Sequence, residues 1–142
     1  MVQKFDFTGV QDIKAYMAPY KADYADLPDD PGTRYAYDVI FSGRYLTGRD
    51  TQLACVRHLN DLQRVGDDDF PYQYDADMVN AIEYFTRLLP NPDNTQENIE
   101  PFKWQSFILD SLIGWRSLTG GTRFTTSNIS IARRQGKTWL AS

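Results

Sequence analysis

Hydrophobic residues recur at helical spacing in four stretches of the chain, and the first two lie before residue 70. A weak pattern over residues 10–20 predicts a helix, and the proline-rich segment Leu27–Gly32 then forces a break. From Asp50 the pattern strengthens into an amphipathic helix that we expect to end near Gly66. The residues that share its apolar side are Cys55, His58, Leu59 and Leu62.

The third pattern predicts a helix over Asp75–Leu89. Asp75 is placed to cap its first turn, and Pro90 is placed to end it. We expect its apolar stripe to pack on the core, and this stripe comprises Met78, Val79, Ile82, Phe85 and Leu89. The polar, proline-containing residues 90–100 predict a loop or tether.

The fourth pattern follows Pro101 and is the most regular in the chain. Its positions are spaced i, i+3, i+4, i+7, i+8 and i+11, which predicts a helix with one buried face. That face comprises Trp104, Phe107, Ile108, Ser111, Leu112 and Trp115. After Gly120-Gly121 the spacing changes from helical to alternating, and Asn128–Ala132 is predicted to be a strand.

Length and composition favour one domain or a domain fragment, because 142 residues with 42% hydrophobic content can bury one moderate core. No secretory signal pattern and no apolar stretch of about 18 residues occurs, which disfavours secretion and membrane spanning. A cytoplasmic location, with no membrane partner, is therefore expected. Cys55 is the only cysteine, and its helical position favours a small buried thiol over a reactive one.

Charge is distributed unevenly along the chain. Residues 103–142 contain six basic side chains and one acidic side chain, Asp110, so their net charge is +5. The net charge of the whole chain is −4, so residues 1–102 have a net charge of −9. The basic end is the anion-binding end. The acidic run Asp67–Asp69 is interpreted as a solvated turn rather than a metal site.

The basic end contains a candidate phosphate-binding loop in Ile131–Leu140. Glycine lets the backbone approach a phosphate, lysine places a charge on the β and γ oxygens, and a threonine hydroxyl can coordinate Mg²⁺. Gly136, Lys137 and Thr138 supply these three residue types in order. The full motif has a glycine five positions before Gly136, where this chain has Ile131. A solvated basic turn is the alternative interpretation.

Gln105 is the second candidate, because a carboxamide can pair with the donor and acceptor edge of adenine. A surface glutamine is the alternative. Taken together, Pro101–Gln105 and Ala132–Thr138 resemble the large subunit of the tailed-bacteriophage terminase, the motor that packages DNA into an empty capsid. In that family a proline-x-x-tryptophan-glutamine-like adenine motif precedes a phosphate loop that starts with a small residue or proline and then arginine. Leu53–Leu62 and Phe107–Trp115 extend the resemblance, which covers about residues 43 to 142.

The resemblance implies a role for each matching residue. Gln105 would read adenine, and Lys137 with the backbone of Arg134, Gln135, Gly136 and Thr138 would hold the phosphates. Thr138 would coordinate Mg²⁺, while Arg133 would contact the γ-phosphate, where its planar donor fork suits spreading charge. Lys137 and Arg133 are thus the expected catalytic residues, with ATP and Mg²⁺ as ligands.

The resemblance also implies a fold class, α/β: the amino-terminal portion of a phosphate-loop NTPase domain, mainly helical here, with the start of a parallel sheet. Residues 1–49 form an irregular acidic front, 50–100 a helical subdomain and loop, and 101–142 the adenine-motif helix, first strand and phosphate loop. The family's catalytic glutamate and nuclease have no counterpart in the sequence. We therefore expect a front fragment of the motor with no ATP turnover of its own.

Expected partners of the complete enzyme are double-stranded DNA, the small terminase subunit and the capsid portal, in the host cell cytoplasm. Two other hypotheses stay open. One is a helicase-like phosphate-loop ATPase, and the other is a non-catalytic helical interaction module that docks through the acidic, tyrosine-rich front.

Overall fold

The computed structural model describes residues 5–136 and residue 140, which form a mixed α/β fold built mainly of helices. The elements, in chain order, are α1 (Ile13–Met17), a 3-10 helix (Ala18–Tyr24), α2 (Pro31–Phe41), α3 (Arg49–Arg64), β1 (Tyr72–Tyr74), α4 (Ala76–Thr86), β2 (Pro90–Asn91), β3 (Asn94–Asn98), α5 (Lys103–Gly114) and β4 (Trp115–Ser117).

Aspartate side chains start three of the helices. Asp12, Asp30 and Asp75 each accept a hydrogen bond from the backbone N–H three residues later, at 2.9 to 3.0 Å. Such caps satisfy donors that have no partner within the helix. The predicted cap at Asp75 is confirmed, although α4 ends three residues before the predicted Leu89.

The hydrophobic core lies between α1, the 3-10 helix, α2, α3 and α5. Val39 of α2 and Leu59 of α3 are completely buried, and Phe107 joins α5 to them. Cys55 is buried in the same core, where burial raises the pKa of its thiol to about 12. The structural interpretation of this cysteine is therefore supported, because the reactive thiolate is disfavoured.

Two small antiparallel sheets complete the described part of the chain. β1 pairs with β4, with Tyr74 opposite Trp115, and β2 pairs with β3 in an irregular hairpin. Residues 90–100, predicted to be a loop or tether, are therefore mostly this hairpin. Trp115, expected on a helix, is a strand residue after the end of α5.

The predicted strand over Asn128–Ala132 is wrong for this structure. Residues 126–132 have no regular secondary structure, and neither described sheet is parallel. A strand needs a neighbour to take its backbone hydrogen bonds, and none of the described strands lies beside this segment. Alternation of side chains predicts only that the segment can be extended.

The predicted apolar faces of α4 and α5 are also partly wrong. On α4 the buried residues are Val79, Glu83 and Thr86, whereas Met78 and Phe85 are exposed. On α5 the buried residues include Phe107, as expected, together with the polar side chains Gln105, Ser106 and Asp110. Both helices thus bury acidic residues that their sequence patterns assign to solvent.

Candidate nucleotide-binding site

Gln105 lies in the first turn of α5 and is only 2% exposed. Its Oε1 accepts a hydrogen bond from the backbone N–H of Phe102 at 2.8 Å, which caps the start of the helix. Its Nε2 donates to the backbone carbonyl of Gln135 at 2.7 Å. The interpretation of Gln105 as a surface residue is therefore wrong, because the side chain joins α5 to the candidate phosphate loop.

The loop itself is a turn over Arg133 and Arg134, followed by a bend at Gln135 and Gly136. Arg134 has φ 61° and Gly136 has φ 81°, so both adopt the left-handed backbone conformation. Glycine takes this conformation freely, whereas arginine does so rarely. The Leu140 N–H donates to the Gly136 carbonyl at 3.1 Å, which is the bond spacing of an α-helix.

Turns with backbone N–H groups on one side form concavities that bind anions. Arg133, Arg134 and Gln135 are exposed, so their charges and amides are open to solvent. Lys137 and Thr138, expected to hold phosphate and Mg²⁺, lie outside the described residues. The structure thus places Gln105 against the turn and describes the part of the loop that precedes Lys137.

The segment that leads into the loop lies beside α5, and the two line an open pocket of about 350 Å³. Ile129 and Ile131 line it from the segment, and Ile108 and Leu112 line it from the helix. The two isoleucines are only half-buried. They alternate with the exposed residues Asn128, Ser130 and Ala132, so the predicted alternation of burial occurs in an extended segment without a strand partner.

Arg123 fixes the start of this segment. Its guanidinium donates to the Asp61 carboxylate at 2.7 Å and lies 4.6 Å from the ring centre of Tyr72 and 5.2 Å from that of Trp115. Its backbone N–H donates to the Trp115 carbonyl at 3.0 Å. Because both charged groups are largely buried, this pair holds its geometry better than a surface ion pair does.

A buried polar network lies behind α5, and the sequence pattern missed it. The Trp115 indole N–H donates to His58 Nδ1 at 3.1 Å, so the neutral imidazole carries its proton on Nε2. Nε2 lies 2.9 Å from Thr33 Oγ1, and the Thr33 hydroxyl donates to Asp30 at 2.7 Å. The Tyr74 hydroxyl donates to the same carboxylate at 2.9 Å.

This network keeps His58 uncharged. Burial, with the positive charges of Arg57 and Arg123, lowers the pKa of His58 to about 3. A neutral imidazole with both nitrogens engaged is a structural group, since it has no free lone pair to accept a proton. The contacts of His58 therefore support a structural role.

Two carboxyl groups meet next to this network. Asp110 of α5 accepts a hydrogen bond from the Gly32 N–H at 2.7 Å, and Glu83 of α4 faces it. Burial, followed by the hydrogen bond and the charge of Glu83, raises the pKa of Asp110 to about 9. The Glu83 oxygens are buried without a fixed donor, so the protonated Asp110 carboxyl supplies one.

Three observations concern metal binding and membrane spanning. Within residues 5–136 and residue 140, no group of three or more His, Cys, Asp or Glu side chains is arranged to hold a metal ion. Asp67–Asp69 are exposed, as the solvated-turn interpretation expects. No helix in the described part of the chain is both long and apolar enough to cross a membrane.

Comparison with known proteins adds no relative. No family model matches the chain, and no curated protein or solved structure is significantly similar to it. The arguments for function therefore rest on the two motifs and on the contact between them.

Proposed function

We propose that this chain binds ATP between the start of α5 and the turn at Arg133–Gly136, as the nucleotide-binding part of a DNA-packaging motor of the terminase large-subunit type. The observation that carries the proposal is the hydrogen bond from Gln105 Nε2 to the Gln135 carbonyl. It joins an adenine motif and a phosphate-loop motif that are 30 residues apart in the sequence. A chance resemblance of two unrelated segments gives no reason for such a contact.

The carboxamide retains the groups that adenine pairing requires. One Nε2 hydrogen and one Oε1 lone pair remain after the bonds to Gln135 and Phe102. At 2% exposure these groups are covered, so the proposal includes a shift of residues 133–136 when the base binds. Gln105 would then exchange its hydrogen bond to the Gln135 carbonyl for hydrogen bonds to adenine, and this exchange would release the turn.

The phosphates would lie at the basic turn. Arg133 and Arg134 are exposed there, and the left-handed backbone at Arg134 and Gly136 suits an anion-binding concavity. Lys137 would hold the β and γ oxygens, and Thr138 would coordinate Mg²⁺. For the complete motor, the same proposal includes ATP hydrolysis, movement of double-stranded DNA, and contacts with a small terminase subunit and a portal in the host cytoplasm.

Titration of ATP and GTP, each with Mg²⁺, against the wild type and Gln105→Ala tests the adenine role. ATP binding should weaken by a free energy on the order of 1 to 3 kcal/mol, because a polar partner is left unpaired, while GTP binding changes less. Lys137→Ala should weaken both nucleotides. Gln96→Ala, on the exposed strand β3, is the matched control and should change neither.

Three outcomes contradict the proposal. Equal losses for ATP and GTP in Gln105→Ala would remove this residue from base recognition. Unchanged binding in Lys137→Ala would remove the phosphate loop. A wild type that binds neither nucleotide would leave Gln105 a purely structural bridge between α5 and the turn.

A further inference from the structure

Large exposed hydrophobic residues are concentrated on α4 and on the turn that follows it. Tyr84 is 68% exposed, Phe85 58% and Leu88 55%. Of the nine large hydrophobic residues that are exposed in the described ranges, five lie between positions 78 and 89. We call the five residues the α4 surface, and they are Met78, Tyr84, Phe85, Leu88 and Leu89.

This surface is not the side that holds α4 in the fold. Val79, completely buried, and Thr86 lie on the side of the helix that packs against α5, about 100° around the helix axis from Met78 and Phe85. Met78 and Phe85 are seven positions apart, or about two helical turns, so they lie above one another on one stripe. A stripe of this kind normally faces a partner rather than water.

The surroundings of the α4 surface are strongly acidic. Residues 75–100 carry six Asp or Glu residues against Arg87 alone. Where α4 ends, a cleft of about 470 Å³ opens between the helix and the β2–β3 hairpin. Glu97 and Glu100 line it, and Glu100 lies 4.0 Å from Arg87, too far for a strong ion pair. The cleft can therefore accept another cationic side chain.

We propose that the α4 surface binds a basic amphipathic helix of a partner protein. Its apolar stripe would cover Phe85 and Leu88, and a lysine or arginine at its edge would enter the cleft beside Glu97. Nucleic acid and anionic membranes do not fit, because their negative charge is repelled by this part of the chain. The proposal is independent of nucleotide binding at Gln105.

The test uses the full chain and a labelled synthetic Leu/Lys peptide whose leucines follow the i, i+3, i+4, i+7 spacing. A peptide of the same composition in scrambled order and a Leu/Glu peptide of the same spacing are the comparisons. Fluorescence anisotropy should show binding of the ordered Leu/Lys peptide at least about tenfold tighter than of either comparison.

Two variants locate the contact. The double substitution of Phe85→Ser and Leu88→Ser should lower the affinity for the ordered peptide by about tenfold or more, because central apolar contacts are lost. Glu97→Gln combined with Glu100→Gln should weaken it less and should also reduce its salt dependence, because long-range attraction is lost. Leu118→Ser removes an equally exposed leucine, 62% exposed, outside the α4 surface and should have no effect.

The following results overturn the proposal. Equal binding of scrambled and ordered peptides would show charge attraction alone, and equal loss with Leu118→Ser would show non-specific adhesion. Self-association that disappears with the Phe85 and Leu88 substitutions would make a second copy the occupant. Binding to neutral phosphatidylcholine vesicles would make it a membrane. If the double serine variant unfolds, the Glu97 and Glu100 pair decides the result.

Discussion

Gln105 Nε2 and the Gln135 carbonyl lie 2.7 Å apart, and this single hydrogen bond connects the first turn of α5 with the turn that contains Arg133 and Arg134. The flanking residues 125–132 have no regular secondary structure. Among the described residues 125–136, this is the one hydrogen bond to α5, so Gln105 restrains a segment that is otherwise held by the half-buried Ile129 and Ile131.

Loss of this bond should make the turn more accessible to protease. Gln105→Met keeps the side-chain length and removes the donor, while the Phe102 N–H, at an exposed residue, can be hydrated. A bond worth about 1 kcal/mol predicts roughly fivefold faster trypsin cleavage after Arg133 or Arg134. Mass spectrometry of a timed digest measures it. Gln96→Met should digest like the wild type, and unchanged cleavage in Gln105→Met would show that the bond does not restrain the turn.

Stability should fall as the pH rises from about 7 to 8, because of Asp110. Its folded pKa is about 9 against the ordinary aspartate value of 3.8, so in this window the folded state holds a proton that the unfolded state has lost. The resulting slope is at most about 1.4 kcal/mol per pH unit. His58 and Cys55 add only small slopes of opposite sign here, since their ordinary pKa values of 6.5 and 9.0 lie outside this window.

Asp110→Asn should remove this slope. Its amide oxygen can still accept from Gly32, and its N–H can donate to Glu83 without a titrating proton. Urea unfolding at three pH values within the window measures the slopes. Asp93→Asn, at an exposed position, should keep the wild-type slope. If the free energy of unfolding of Asp110→Asn falls as much across this pH window as that of the wild type, another group titrates.

Gly114→Ala should destabilise the fold even though alanine favours helices. A Cβ at this position would lie 2.4 Å from Tyr74 and 2.7 Å from Val79, so the interface of β1, α4 and α5 must shift. Overpacking of this kind lowers the free energy of unfolding by about 1 to 3 kcal/mol. This loss is larger than the stabilisation that alanine gives over glycine in a helix. Gly121→Ala, which meets no atom within 4 Å, is the control for thermal unfolding. Equal melting temperatures for the two variants would contradict the close approach.

The helices could be predicted from the sequence where their signals are local. Asp75 caps a helix through the N–H of Met78 three residues away, and the periodicity from Asp50 to Arg64 describes one continuous face. The motif pair at Gln105 and Gly136 was also visible as residue types in a fixed order. These features need only neighbouring residues.

The buried carboxyl groups could not be predicted in this way. Asp110 is stabilised by the N–H of Gly32, 78 residues away, and no nearby residue indicates that its carboxyl is buried and protonated. The apolar stripe of α4 was predicted to pack on the core, but Met78 and Phe85 are exposed. Apolar periodicity identifies a hydrophobic helix face, but it does not show whether the same chain or a partner covers that face. The segment at Asn128–Ala132 is ambiguous for a related reason, since a strand depends on its neighbour.

The distant origin of these partners affects the order of folding. His58 accepts its hydrogen bond from Trp115, which is synthesised 57 residues later, and the Gly32 N–H donates to Asp110, which is also synthesised later. During synthesis, α2 and α3 can form transient helices, but the polar groups of Gly32 and His58 stay hydrated until α5 and β4 have left the ribosome and can pair with them. Such long-range closure slows folding and makes it cooperative. The front of the chain is therefore the part that stays longest exposed to chaperones and proteases while it is being made.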